Sequence, residues 1–348
     1  MRAAVVGGGP AGLMTALLLM RRGVAREVTL WERDRAEHAG FGVILPAEAE
    51  DLLRRASPRL ADEVTAHLVR WTETTVRRGD EKWTTSAVPG LGAIARATLN
   101  RLLWQECAEA GVVLRERVAP RLTALSTSHD LVVCADGAGS LADRSGFDVT
   151  TRNVGPQYTW LGLDRALDGL TFLTAPAADG LYLAHAYPFS DRASTFLVEG
   201  PRALDREEVE ELFGVRVDTG PAGDTYTWRT FRERTVRPWS LDNVVLVGDA
   251  AHTTHYSIGH GTHLAFADAE ALVTALAGGD SPSTALRAYE DGRRPEVERA
   301  QRLGRTSAEW FTRAAEEFDR PLRAFAISLV TRGGRLVRGH APQSSAAV

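Results

Sequence analysis

The order of apolar and polar residues predicts buried strands that alternate with amphipathic helices. Residues 244–247 are a run of apolar, mostly β-branched side chains, which is typical of a strand buried on both faces of a parallel sheet. The glycine-rich segment 259–263 then leads into a predicted helix, whose unpaired first N–H groups near Thr262 and His263 favour a ligand atom that gains negative charge. Apolar residues give that helix a single apolar face: Ala265, Ala269, Leu272 and Leu276.

A second unit of this kind lies at the N-terminus. The pattern predicts a strand at 3–6, a helix at 13–22 and a strand at 28–31, with the turn Gly7-Gly8-Gly9-Pro10-Ala11-Gly12 after the first strand. Gly7 permits the tight turn, Gly9 lets the backbone approach a pyrophosphate, and Gly12 lets helix and strand pack closely. Glu32, 20 residues past Gly12, would accept hydrogen bonds from a ribose hydroxyl. This is the dinucleotide-binding fingerprint, which does not by itself distinguish FAD from NAD.

A third buried strand is predicted at 131–134, and glycines and an acidic residue follow it as well. Asp136 and Gly137 come after this strand, and Gly248 and Asp249 come after the strand at 244–247. Open α/β sheets bind their ligands beyond the carboxyl ends of parallel strands. We therefore expect Gly9, Asp136 and Asp249 to converge on one crevice.

The pattern changes between about residues 155 and 234 to short alternating strands at 159–163, 171–174, 181–187 and 195–199. This predicts an antiparallel sheet inserted into the α/β domain. In the strand at 181–187, alternate side chains share one face, which suits a pocket wall for an aromatic substrate: Leu181, Leu183, His185 and Tyr187. A half-buried sheet face, with His185 bonded to a backbone carbonyl, is the alternative.

Composition narrows the classes of partner. The chain has 348 residues and a net charge of −4, so electrostatics give no reason to expect nucleic acid or an anionic membrane. No apolar stretch approaches the ~20 residues that span a bilayer, and the two cysteines, Cys107 and Cys134, form no CxxC motif. We expect a soluble, cytoplasmic protein with reduced thiols. The histidines at 252–263 lie in a glycine-broken loop, and no metal site is expected there.

The motifs together resemble the single-component FAD-dependent aromatic monooxygenases of the para-hydroxybenzoate hydroxylase fold. Residues 7–12 with Glu32 match the FAD fingerprint of that family, Asp136-Gly137 its middle motif, and 248–252 its ribityl-binding motif. Within the family, the segments 40–43, 158–162, 185–191, 194–196 and 255–262 resemble a subgroup. It contains the salicyloyl- and anthraniloyl-CoA hydroxylases and the violacein-pathway hydroxylase, which acts on an indole-derived acid.

The resemblance implies a fold, a reaction and a set of site residues. The fold is α/β, with a Rossmann-like FAD-binding domain, an inserted antiparallel β-sheet substrate domain and C-terminal helices. NADPH or NADH would reduce the flavin, O2 would form a C4a-hydroperoxide, and an electron-rich aromatic ring, indole-derived or an aryl thioester, would take one oxygen atom. Residues expected to bind FAD are Gly7, Gly9, Pro10, Ala11, Gly12, Glu32, Arg33, Gly42, Arg96, Asp136, Gly137, Gly248, Asp249, Gly259, Gly261, Thr262 and His263.

The same resemblance suggests residues near the substrate. Many members carry two prolines after the ribityl motif where this chain has His255 and Tyr256, and we expect both to face the flavin. His255 or His185 could deprotonate a phenol or an indole N–H. The expected pocket residues are Trp160, Leu183, Tyr187 and His260. The middle motif also departs from the family pattern, because Ser140 is followed by Leu141, Ala142 and Asp143 before Arg144.

The predicted boundaries follow the motifs. The FAD-binding domain is expected at 1–65, 92–150 and 235–300, the substrate domain at 66–91 and 151–234, a C-terminal helix at 301–332 and a flexible tail at 333–348. We expect separate helices at 283–292 and from there to about residue 318, and a monomer or homodimer. A flavin oxidase, dehydrogenase or reductase on the same scaffold is the alternative enzyme. A nucleotide-binding regulator without turnover is the alternative from another class.

Overall fold

The nucleotide-binding fingerprints lie on a six-stranded sheet. The computed structural model describes residues 1–34, 40–87, 90–220, 226–279 and 281–332, so the predicted tail lies outside the described residues. The strand order is β15-β16-β9-β1-β2-β8, and all neighbours are parallel except β15 and β16. The strands are β1 (Arg2–Val6), β2 (Glu27–Glu32), β8 (Val113–Glu116), β9 (Leu131–Cys134), β15 (Ser240–Leu241) and β16 (Val244–Leu246).

Most of the remaining strands form a seven-stranded sheet in the order β14-β10-β13-β12-β11-β5-β6, with β11 and β5 as its only parallel pair among the described strands. It includes all four strands predicted for the inserted sheet. The domain boundaries stay a prediction. The strands are β5 (Glu73–Arg78), β6 (Glu81–Ser86), β10 (Asp148–Leu163), β11 (Leu170–Ala177), β12 (Gly180–Pro188), β13 (Ser194–Gly200) and β14 (Arg229–Arg237).

A small three-stranded sheet, β3 (Gly42–Leu45), β7 (Gly92–Ala95) and β4 (Val69–Arg70), connects the two larger ones. Gly42 forms the contact: its N–H donates to Thr195 Oγ1 (2.9 Å) and its carbonyl accepts from the Tyr187 hydroxyl (2.9 Å). A Cβ at this position would lie 2.4 Å from the Cβ of Phe189. Only glycine allows this approach.

Helices cover both large sheets. One face of the seven-stranded sheet packs against α6 through Tyr182, Phe196 and Val209, and the other packs against α8 and α10 through Phe172, Phe311 and Phe325. None of the helices in the described ranges has the length and apolar character needed to cross a bilayer. The helices are α1 (Pro10–Arg21), α2 (Ala47–Ala56), α3 (Pro58–Ala66), α4 (Arg96–Glu109), α5 (Leu122–Ser128), α6 (Arg206–Phe213), α7 (Gly261–Ala277), α8 (Pro282–Thr312), α9 (Ala314–Glu317) and α10 (Leu322–Thr331).

The predicted break between two helices at residue 292 is wrong. Helix α8 runs without interruption from Pro282 to Thr312 and contains Pro295. Proline inside a helix removes one hydrogen bond and costs about 3 kcal/mol. Burial on either side, at Arg293 and Val297, anchors the helix and offsets that cost. Packing against the rest of the protein therefore overrides the local signal to stop.

A buried carboxylate links α7, α8 and the loop after β16. Asp268 accepts hydrogen bonds from the Gly248 N–H (3.0 Å) and Arg293 Nε (2.9 Å), and its Oδ2 lies 2.8 Å from His252 Nε2. Burial alone would raise the pKa of the Asp268 carboxyl, but His252 and Arg293 lower it below the usual value. The loop after β16 thus depends on one ionised group.

Asp268→Ala tests this link. Removing one partner of a buried ion pair leaves Arg293 without its main counter-charge, and we expect the free energy of unfolding to fall by about 3–5 kcal/mol, measured by urea denaturation. The control is Asp62→Ala, which breaks an exposed pair with Arg54 (3.0 Å) and should cost under about 1 kcal/mol. Equal losses in the two variants would contradict the link.

Candidate active site

Three parallel strands end at one crevice. Val6 of β1 is in register with Cys134 of β9, and Cys134 is in register with Leu246 of β16. The segments that follow are therefore neighbours. They are also in tight contact, because a Cβ on Gly7 would lie 2.3 Å from the Ala135 carbonyl oxygen, and Gly7 has φ +105°. The structure thus brings together the turn at 7–12, Asp136 and Asp249, as the sequence predicts.

The glycines of the crevice fall into two groups. Some allow the protein to pack on itself: a Cβ on Gly12 would lie 2.0 Å from the Gly7 carbonyl oxygen, and one on Gly248 would lie 2.9 Å from the Ala11 Cβ. Others, Gly9, Gly137 and Gly261, have no atom within 4 Å of a built Cβ. The second group leaves open space along the strand ends, where a ligand can approach the backbone.

Glu32 is oriented towards the glycine turn. Its Oε2 accepts from the Gly8 N–H (2.6 Å) and its Oε1 from the Asp34 N–H (2.9 Å), and the side chain is buried. Arg33 next to it is exposed. The carboxylate therefore fixes the turn, and its predicted bond to a ribose stays a prediction.

The middle motif is held by an arginine that sequence reasoning missed. Asp136 accepts from the Ser140 hydroxyl (2.6 Å) and the Leu141 N–H (2.7 Å). Buried Arg234 donates to the carbonyls of Ala250 (2.9 Å) and Ala138 (3.3 Å), and it pairs with Asp143. It thereby joins the loop after β9 to the loop after β16. The sequence gives only a weak indication of this role, because an arginine in a strand of alternating polar and apolar residues is ordinarily a surface residue.

Asp249 and Arg96 lie on the open side of the crevice. Both side chains are exposed, and the charge of Arg96 acts on the Asp249 carboxyl. Desolvation by the surrounding walls nevertheless raises the pKa of Asp249 above its usual value. Exposed Gly261 begins α7, and Gly259 before it has φ +64°. The first N–H groups of α7, at Gly261, Thr262 and His263, have no intrahelical acceptor.

A buried polar cluster lies on the face of the seven-stranded sheet towards α8. His185 Nε2 is 3.0 Å from Glu199 Oε1, although the angle is outside that of a hydrogen bond, and both side chains are buried. The Tyr256 hydroxyl is buried too, and burial followed by the charge of Glu199 raises its pKa well above the usual value. Burial lowers the pKa of His185, while Glu199 acts in the opposite direction.

Glu199 is the second residue that the sequence analysis missed. It pairs in register with Leu183 on one side and Tyr158 on the other, so its side chain shares the face of His185. Within the described residues, the cluster has five buried polar atoms without a hydrogen-bond partner: His185 Nε2, both Glu199 carboxylate oxygens, His255 Nε2 and the Tyr256 hydroxyl. The alternation of β13 could have placed Glu199 on a face, but not beside His185.

His255 differs from the expectation that it faces the flavin. Its ring is 1% exposed, and its Nδ1 lies 2.8 Å from Ser257 Oγ. A Cβ on Gly155 of β10 would lie 3.0 Å from its Nε2, and one on Gly304 of α8 would lie 3.2 Å from its Cβ. This enclosure lowers the pKa of His255 to about 4, so the imidazole is neutral at pH 7. The ring packs between β10 and α8.

The predicted pocket residues do not all lie in the same surroundings, since they range from exposed to buried. Trp160 is 39% exposed, with its ring 6.1 Å from that of Tyr256. Leu183 is buried in one apolar cluster with Phe311 and Phe325, and the Tyr187 hydroxyl donates to the Gly42 carbonyl. His260 precedes α7, with Nδ1 2.5 Å from the Ile258 carbonyl. Trp160 is therefore the exposed member of an aromatic pair with Tyr256.

Comparison with known proteins identifies the family. The chain is 45% identical over its whole length, and 99% of the relative, to 3-hydroxy-4-methyl-anthranilyl-[aryl-carrier protein] 5-monooxygenase of Streptosporangium sibiricum. It is 36% identical over 95% of its length, and 70% of the relative, to salicyloyl-CoA 5-hydroxylase of a Streptomyces species. The chain belongs to the FAD-dependent aromatic monooxygenases.

Two family models, a further relative and a solved structure also match the chain. Residues 202–303 match the family model described as FAD binding domain, and residues 3–167 match one described as Lycopene cyclase protein. Protodeoxyviolaceinate monooxygenase of Chromobacterium violaceum is 27% identical over 95% of the chain and 94% of that protein. Among solved structures, the tetrameric form of 2-methyl-3-hydroxypyridine-5-carboxylic acid oxygenase has a TM-score of 0.74 with 21% identity, covering 95% of each chain, which supports the fold.

The crevice of this monooxygenase fits FAD. The open space at Gly9 suits a pyrophosphate beside the N-terminus of α1, and the open space at Gly137 and Gly261 continues along the strand ends. Orphan N–H groups at the start of α7 suit the electron-rich edge of a reduced flavin ring. The contacts of the predicted FAD-binding residues with the cofactor stay a prediction, and Gly42 contacts Phe189 of the seven-stranded sheet.

Gly9→Ala tests the site. Its Cβ would meet no protein atom, so we expect the unfolding temperature of the apoprotein to stay unchanged while FAD affinity falls at least about tenfold, because the methyl group occupies the space of the pyrophosphate. Flavin fluorescence titration measures this. The control is Gly292→Ala, which also meets no atom but lies on α8 away from the crevice, and should keep full affinity. Unchanged affinity in Gly9→Ala would contradict the placement.

Proposed function

We propose that this monooxygenase adds one oxygen atom to an amino- or hydroxy-substituted benzoyl ring presented as a thioester on an aryl carrier protein. The observation that carries the proposal is the 45% identity, over the whole chain, to a relative named for a carrier-bound anthranilyl substrate. The relative named for salicyloyl-CoA is also named for a thioester. An electron-rich ring suits an enzyme whose oxidant is electrophilic.

FAD, reduced by NADPH or NADH, would activate O2 and supply the electrophilic oxygen atom. The N-terminus of α7 would stabilise negative charge on the reduced ring, because its first N–H groups have no intrahelical acceptor and carry the positive end of the helix dipole. Trp160 and Tyr256 pack their rings together, and this apolar surface would exclude water from a substrate ring placed against it. These residues orient and shield, and the oxidation itself belongs to the cofactor.

The buried cluster of His185, Glu199 and Tyr256 accepts a proton from the substrate. Ring hydroxylation is favoured when an attached hydroxyl or amino group donates electrons, and proton transfer to a base strengthens that donation. We assign this transfer to His185 with Glu199, behind the Tyr256 ring, because the lowered pKa keeps His185 neutral and able to accept a proton at pH 7. His255 supports Tyr256 by ring contact at 4.1 Å.

The first experiment compares substrates. We expect NAD(P)H oxidation to be stimulated by an anthraniloyl or salicyloyl thioester on an aryl carrier protein, with a product heavier by one oxygen atom in intact-protein mass spectrometry. The free acids should give much less product. Substrate oxidation with stoichiometric hydrogen peroxide and no added oxygen would instead support the flavin oxidase alternative.

The second experiment tests the proton transfer. Glu199 raises the pKa of His185, so Glu199→Gln should lower it further and move the acid limb of kcat/KM to lower pH, and His185→Gln should remove that limb. The pH profile separates this from a structural role, which would lower activity at all pH values. The control is Glu211→Gln on the exposed surface of α6. An unmoved limb in Glu199→Gln would contradict the assignment.

The oligomeric state stays a prediction of monomer or homodimer. A tetrameric form is named for one structural neighbour, whose identity of 21% supports only the fold. Sedimentation of the flavin-loaded protein would decide between these states.

A further inference from the structure

A groove rich in arginine lies outside the crevice, between β10, β14 and α8. Its walls include Arg152 of β10, Arg237 of β14, and Arg302 and Arg305 of α8. We call it the arginine groove. Arg152 and Arg237 are 54% and 61% exposed, so their guanidinium groups are accessible to a ligand.

The acidic residues of the arginine groove leave it positive. Buried Glu233 accepts from Arg152 Nη2 (2.7 Å) and Arg305 Nη1 (3.0 Å), and Glu298 accepts from Arg237 Nη2 (2.8 Å). The groove lining contains these two carboxylates and four guanidinium groups, which leaves a net charge of +2. Glu233 therefore fixes two of the arginines in place without neutralising the positive charge of the groove. Arginine groups arranged in this way favour a phosphate, which they can bind with two parallel hydrogen bonds.

The arginine groove and the active-site cluster share one face of the sheet. Arg152 is in register with Glu233, and Val154 with Phe231, whose ring lies 5.9 Å from that of Tyr256. Tyr158, further along β10, is in register with Glu199. From Arg152 to Tyr158 the strand rises by about 20 Å, at roughly 3.3 Å per residue and less where the bulge after Val154 shortens it.

This distance sets the length of a ligand that could reach both sites. A molecule with its phosphate in the arginine groove and its aromatic ring beside Tyr256 needs a long, flexible, uncharged linker between the two. An aryl thioester of phosphopantetheine has this layout, because the pantetheine arm separates one phosphate from the thioester. We propose that the arginine groove binds the phosphate of a phosphopantetheine arm that delivers the aryl group to the active site. This rests on the proposed function, and the carrier protein is the source of the arm.

Substrates that differ only in the phosphate test the proposal. The same aryl group is offered as a pantetheine thioester, a phosphopantetheine thioester and a carrier-bound thioester to the flavin-loaded enzyme and to Arg237→Gln/Arg302→Gln. These two arginines are chosen because neither is bonded to buried Glu233, so folding should be preserved. We expect KM for both phosphate-bearing substrates to rise about tenfold, in line with loss of charge-assisted bonds, with KM for the pantetheine thioester and all kcat values unchanged.

Arg54→Gln, an exposed arginine on α2, is the matched control and should change no KM. Added salt should raise KM for the phosphate-bearing substrates only. Equal KM values for pantetheine and phosphopantetheine thioesters in the unaltered enzyme would overturn the phosphate site while leaving the proposed function in place. Hydroxylation of the free acid alone, with no thioester turned over, would overturn the proposed function and the phosphate site together.

A coenzyme A thioester separates the two sources of the arm. We expect its KM to exceed that of the carrier-bound substrate, because the carrier adds its own surface contacts, and to rise in the double variant as well. A lower KM for the coenzyme A thioester than for the carrier-bound one would overturn the carrier protein as the source.

Discussion

The contact between the turn after β1 and the turn after β9 is the constraint on which the rest depends. Gly7 lies so close to Ala135 and Asp136 that no side chain fits between them, and Gly12 lies against the Gly7 carbonyl in the same way. These approaches place three strand ends at one crevice and leave open space at Gly9, Gly137 and Gly261. Glycines therefore both allow the strand ends to pack closely and leave the space in which a ligand can lie. The loop after β16 completes the crevice, and Asp268 and Arg234 hold it from two sides.

The second constraint is the way the seven-stranded sheet meets the small sheet of β3, β4 and β7. Gly42 contacts Thr195, Tyr187 and Phe189, which fixes the sheet next to the small sheet of β3, β4 and β7. On the other side, α8 passes over β10 and encloses His255 between Gly155 and Gly304. The polar cluster of His185, Glu199 and Tyr256 lies between the seven-stranded sheet and α8. Desolvation by this packing lowers the pKa of His185, while Glu199, 3.0 Å away, acts in the opposite direction.

The proposed thioester substrate would give these features a common purpose. An enzyme that accepts a tethered ring must admit the ring and leave its long arm outside. The aromatic pair of Trp160 and Tyr256 and the arginine groove lie on one face of the sheet, with β10 and β14 running between them. A tethered substrate would thus be held at both ends, which positions the ring without a dedicated binding domain.

The sequence by itself determined the features that are local in the chain. The glycine turns, the acidic residues at the end of β2 and after β9 and β16, and the helix that follows the glycine-rich segment 259–263 depend on spacing over about twenty residues or fewer, and the structure places them as predicted. The tertiary structure alone decided the rest. Glu199 lies beside His185 through the pairing of β12 with β13, Arg234 reaches Ala138 and Asp143 from a distant strand, and α8 continues through Pro295 because its neighbours bury it. Such outcomes depend on strand register and on packing between segments far apart in the chain, which no local pattern of residues encodes.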